Sequence, residues 1–129
     1  MQGELITFET AKLAKEKGLK IYNNIYTKDG NKSTIGKYYN KIVKGKQKEL
    51  ADRFCYPCST QSLLQKWLRE VHKILVIVKP MVTEYEFELA DEWEVVVYLG
   101  HKGNYIKITE FKTYEEALEE GLQKALKMV

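Results

Sequence analysis

The side chains whose types and spacing could do chemistry are two cysteines, two histidines and a run of tyrosines and lysines between residues 22 and 46. Cys55-Tyr56-Pro57-Cys58 stands just ahead of a helix signal, where a CxxC pair can lower a thiol pKa for redox exchange. The preceding Lys46 to Arg53 does not read as the buried strand such a redox site follows. With His72 and His101 the pair could form a two-Cys, two-His zinc site. The first three spacings suit it, but His101 comes far too late for the usual closing pair. Cys55 and Cys58 are therefore read as incidental thiols, with no metal and no cofactor. His72 ends a helix signal, His101 lies in a turn signal, and no Gly-x-Ser-x-Gly or His-Glu-x-x-His arrangement occurs. The expectation is a protein without catalytic residues.

The basic aromatic stretch is more suggestive. Tyr22, Tyr26, Tyr38 and Tyr39 alternate with Lys28, Lys32, Lys37, Lys41, Lys44 and Lys46, among Gly30, Gly36 and Gly45. Tyrosine faces stack on bases, ammonium groups neutralise phosphates, and glycines leave backbone amides open to an anion. Tyr22, Tyr26, Lys28, Lys32, Lys37, Tyr38 and Tyr39 are the candidate ligand-binding residues. The alternative is that the tyrosines pack and the lysines keep a strand edge soluble. Glu84, Glu86, Glu88, Asp91, Glu92 and Glu94 could suggest paired carboxylates, but their alternation with apolar residues reads as a solvated sheet face.

Helices and strands must position these groups. Thr113 with Glu116 forms a capping box that opens a helix over 114–128, with Tyr114, Ala117, Leu118, Leu122, Ala125 and Leu126 on one face and Gly121 beside them as a packing device. Ser59 or Thr60 can cap a second amphipathic helix to about His72. Between these helices lie four strand signals: Ile74 to Val78, stopped by Pro80; Glu84 to Leu89; Trp93 to Leu99; and Tyr105 to Thr109. The expected core, residues 59–129, is an α-β-β-β-β-α unit: an antiparallel four-stranded sheet with two helices on one face, a two-layer α+β sandwich. Residues 1–58 are expected as a basic extension that joins the core in one compact domain, with a helix from Phe8 to Lys17 closed by Gly18, a strand from Leu19 to Tyr26, a turn at Asp29-Gly30-Asn31, a hairpin return strand running through Ile35 to Asn40, and a linker or short charged helix to Arg53. Val96 and Tyr98 would project from the uncovered sheet face, so a homo-oligomer is expected.

The chain of 129 residues is 44% apolar and 30% charged, a globular rather than disordered composition, with no apolar run long enough to span a bilayer. Its first residues lack the basic flank and apolar stretch of a secretory signal, so the expected compartment is cytoplasmic. The formal charge of +3 hides a division. Residues 20–48 carry eight lysines against Asp29, whereas residues 60–129 carry nine basic and twelve acidic residues. The first stretch should attract anions.

Three stretches, Ile6 to Ala14, Thr60 to Glu70 and Phe111 to Leu122, resemble a family of small uncharacterised proteins encoded by phages and prophages of gut bacteria. The resemblance implies a non-enzymatic accessory protein of counter-defence type in the cytoplasm of an infected or lysogenic host, sequestering a nucleotide immune signal or another anionic small molecule. The runner-up is an inhibitor that binds a host protein. The α-β-β-β-α portion is similar in topology to double-stranded RNA-binding domains, but Glu115 and Glu116 stand where that family starts its last helix with lysines, and they would repel a phosphate backbone. Nucleic acid is therefore the lesser partner, and no membrane is expected.

Overall fold

The computed structural model describes residues 4–38, 46–82, 89–100 and 103–129. Tyr39, most of the expected strand over 84–89 and the turn at His101 lie outside the described residues. The chain divides between Thr60 and Gln61 into two compact units, each containing helices and one three-stranded antiparallel sheet. The protein is of the α+β class.

The first unit begins with α1, Phe8–Glu16, whose N-cap Thr7 accepts a hydrogen bond from the Thr10 amide. Gly18, at φ +101°, reverses the chain so that the Leu19 amide reaches the Ala14 carbonyl at 3.0 Å. This left-handed closure is the one glycine makes at low cost. Strand β1, Asn24–Tyr26, lies between β2, Lys32–Thr34, and β3, Tyr56–Pro57. The expected first strand thus shrinks to its last three residues.

The return strand is also displaced. It occupies Lys32–Thr34, while Ile35–Tyr38 is a short helix, α2. Two backbone bonds explain the shift: the Gly30 amide to the Thr27 carbonyl and the Thr27 amide to the Asn31 carbonyl, each 2.9 Å. They close the turn so tightly that Tyr26 pairs at once with Lys32. Thr34 then accepts from the Lys37 amide at 3.1 Å, an N-cap that turns the chain out of the strand. The charged stretch after it forms α3, Gln47–Phe54. It buries Ala51 with Tyr22, Ile25 and Cys55, and Ile35 and Leu50 pack against that cluster. The first unit thus has an apolar cluster of its own.

In the second unit α4, Gln61–Val71, leads into the sheet β4, Leu75–Val82; β5, Leu89–Tyr98; and β6, Tyr105–Phe111; α5, Tyr114–Lys127, follows. The strand order is β4-β5-β6. Three strands are described where four were expected. Leu89, placed in a separate strand by its alternation, opens a continuous β5 instead. Pro80 does not stop β4, which runs on to Val82 with Pro80 opposite Trp93. β4 lies at a sheet edge, where the missing N–H of proline costs no ladder bond. The register between β5 and β6 shifts between Trp93 and Val95, where β6 carries one residue more. Glu110, at φ +73°, lies in that bulge.

Helix α4 ends as Lys73 takes φ +58° and the Ile74 amide returns to the Leu68 carbonyl at 3.1 Å. Helix α5 is capped by Thr113, whose hydroxyl accepts from the Glu116 amide. It contacts all three strands, and α4 contacts both α5 and β4. Gln65 of α4 donates to the Val76 carbonyl, and buried Gln61 donates to the Glu115 carbonyl and the Glu119 carboxylate. Val96, expected to project from an open face, is only 4% exposed. Its cross-strand neighbours are Ile77 and Lys107, and Lys107 reaches along the sheet to Glu94 at 3.1 Å.

Candidate ligand-binding site

The structure separates the seven candidate residues into three sets, with Tyr39 outside the described residues. Tyr22 and Tyr26 are packed inward. Tyr22 is 7% exposed and donates its hydroxyl to Asp52 at 2.7 Å. Burial, and then that carboxylate, push its phenol well above the usual tyrosine range. Tyr26 is 3% exposed, donates to the Ile6 carbonyl, and sets its ring 5.5 Å from that of Phe8. At these exposures neither ring offers a full face for stacking, and Tyr22 only edges a cleft of about 270 Å³ that it lines with Lys20, Lys48, Glu49 and Asp52. Both serve the interior instead: Tyr26 is on the central strand β1, and Tyr22, in the loop before it, packs with Ile25, Ala51 and Cys55.

Lys28 and Tyr38 meet in an open depression of about 470 Å³, lined also by Thr27, Asp29, Leu50 and Phe54. Tyr38 is 47% and Phe54 43% exposed. The Lys28 ammonium lies 5.3 Å from the centre of the Phe54 ring, and the Arg53 guanidinium 5.6 Å. Cations at those distances are attracted to the ring face. Phe54 was missed in the sequence because it follows a charged stretch with no strand alternation. Its adjacency to Arg53 at the end of an amphipathic segment was the available signal.

Lys32 and Lys37 line a second cleft of about 280 Å³ with Asn24, Ser33, Thr34 and Cys58. None of the described residues lining it is acidic. The tight turn brings Lys32 there as the first residue of β2, and the Thr34 cap holds the helical turn that carries Lys37. Cys58 is buried, and burial raises its thiol pKa against the opposing influences of Tyr26 and the Lys32 charge.

The two thiols are held apart. Cys55 is extended at φ −127° and ψ 170°, the chain continues through β3, and the Cys58 amide bonds to the Asn24 carbonyl at 3.0 Å. Three extended steps separate the Cα atoms by about 10 Å, beyond the roughly 7 Å that a disulfide tolerates. Cys55 joins the Tyr22 cluster while Cys58 lines the lysine cleft. Both thiols should therefore react slowly with an aromatic disulfide reagent in the native protein and rapidly in denaturant, and diamide should form no intramolecular bridge. A stoichiometric Cys55–Cys58 disulfide made under native conditions would contradict this geometry.

His72 sets its ring 4.6 Å from that of Trp67. Among the described residues no group of three or more His, Cys, Asp or Glu side chains is placed to hold a metal ion. Nor is any described helix long and apolar enough to cross a membrane. No protein-family model, no curated protein and no solved structure matches the chain.

Proposed function

We propose that the protein is a non-enzymatic binder of a small anionic ligand with an aromatic ring, a nucleotide foremost, and that it acts by sequestering that ligand. The observation that carries this reading is the pairing of two large, half-exposed aromatic rings, Tyr38 and Phe54, with Lys28 in one open depression. Exposed ring faces beside a cation suit a base that stacks and a charge that must be neutralised. The resemblance to phage and prophage proteins supplies the biological setting, in which the ligand is a nucleotide signal of a host defence system. In the second unit, the contacts of α5 with all three strands and of α4 with α5 and β4 support a two-layer arrangement that serves as scaffold.

Denaturing protein purified from defence-active cells should release a nucleotide detectable by mass spectrometry. Adding the same compound to the stripped protein should raise its melting temperature, because a ligand that binds only the native state stabilises it. Phe54→Ala should cost about 1 to 3 kcal/mol of binding, the usual loss of one stacking ring. No released nucleotide and no thermal shift would reject the reading. Exposed Val71 and Tyr105 favour a second one, an inhibitor that docks on a host protein through the C-terminal unit. Co-purification of one host protein, abolished by Val71→Asp or Tyr105→Ala, would establish it. Affinity for single strands that falls steeply with salt would instead mark a nucleic-acid factor.

A further inference from the structure

Lys37 and Tyr38 are consecutive residues of α2, yet they line different cavities: Tyr38 the aromatic depression and Lys37 the lysine cleft. Likewise Lys28, inside the turn, and Lys32, the first residue of β2 after it, fall on opposite sides of this division. The hairpin and α2 thus form a wall shared by two neighbouring cavities of different character. The depression has ring faces, but its charge is nearly balanced, since Asp29 lines it beside Lys28 and the Lys28 ammonium is already held over Phe54. The cleft has no large aromatic among its described lining residues. It has two lysines, the hydroxyls of Ser33 and Thr34, and no described acid.

We infer that the two cavities are the two halves of one site: the ring of the ligand stacks on Phe54 and Tyr38, and its negative charge is bound by Lys32 and Lys37 across α2. The inference rests on the function proposed above and narrows its ligand class. A helix with its side chains is about 10 Å across, so a ligand that reaches both halves must carry anionic charge roughly that far from its stacked ring. A nucleoside monophosphate holds its one phosphate too close. A nucleoside polyphosphate or a dinucleotide has the reach, and the charge chemistry at Lys32 and Lys37 is the same for both.

The test is titration calorimetry with adenosine, AMP, ATP and the linear dinucleotide pApA on three proteins: the wild type, Phe54→Ala, and the double variant Lys32→Ala, Lys37→Ala. Both lysines are exposed, so the double variant should fold, and an unchanged circular dichroism melt will verify this. ATP, pApA or both should bind the wild type at least tenfold more tightly than AMP. The double variant should bring that ligand down to the AMP level while leaving AMP itself unchanged. Preference for ATP over pApA assigns the second half to a polyphosphate, and the reverse preference to a second nucleotide. Phe54→Ala should weaken every ligand that binds. AMP binding as tightly as ATP and pApA, or a double variant with no effect on the longer ligands, would overturn the two-half site and leave the nucleotide reading standing. Failure of all four compounds to bind would overturn both.

Discussion

Leu122→Ala and Leu118→Ala should each lower the stability of the C-terminal unit by about 2 to 5 kcal/mol, the range found when a buried leucine is cut back to its Cβ. Both side chains are buried on the face that α5 turns to the sheet, together with Ala117, Ala125 and Leu126. The loss has two parts, the transfer of the missing carbons to water and the cavity left behind, and a helix pinned to three strands has little freedom to collapse into it. Lys124→Ala, on the same helix, should change stability by less than about 0.5 kcal/mol. The protein has its two tryptophans at positions 67 and 93, both in the C-terminal unit, so tryptophan fluorescence during urea unfolding reads that unit directly. Equal losses at positions 118, 122 and 124 would refute the assignment of the buried face.

The ends of α1 and α5 were legible because local chemistry decides them. Thr113 caps its own helix three residues on, and Gly18 adopts a conformation that other residues avoid. Ala117, Leu118, Leu122, Ala125 and Leu126 recur at helical spacing, and all are buried. The hairpin was not legible in the same way. Ile35 and Tyr38 have strand propensity, but Thr34 can either extend a strand or cap a helix, and the tight turn at Thr27 to Asn31 had already used up the pairing partners. Propensity lost to hydrogen-bond placement. Pro80 misled for a related reason, since whether a proline ends a strand depends on which neighbour the strand has, and only topology says that β4 lies at an edge. The candidate site shows the same limit. Residue type identified tyrosines and lysines as a set, but burial sorted them: the side chains at 22 and 26 belong to β1 and the loop before it, which the rest of the unit covers. Phe54 gained its exposed position from α3, an element whose charged sequence concealed its amphipathic face.

Gly121→Ala should destabilise the C-terminal unit, by roughly 1 to 3 kcal/mol as overpacking commonly does, even though alanine is the better helix former by about 1 kcal/mol. The sign is decided by what the new methyl group would meet. A Cβ built on Gly121 stands 2.4 Å from Val95 Cγ2 and 3.0 Å from Val76 Cγ1. Carbon atoms in contact prefer about 3.5 to 4.0 Å, so the overlap exceeds any small adjustment. Neither valine can easily yield, because β-branched side chains are stiff at χ1 and both are buried on adjacent strands of the sheet. The helix must therefore lift, and lifting it loosens Leu118, about one turn before the glycine, and Leu122, the residue next to it. Gly121→Leu should cost more still, since it adds carbons to a space that does not hold one. The cause can be separated from a general loss of helix quality by a double-variant cycle. Val95→Ala alone should destabilise through lost packing, but in combination with Gly121→Ala it removes the atom nearest to the new methyl group. The double variant should then be more stable than the sum of the two single losses predicts, by on the order of 1 kcal/mol or more. Strict additivity, or a Gly121→Ala protein more stable than the wild type in the same urea titration, would show that α5 does not approach β4 and β5 this closely.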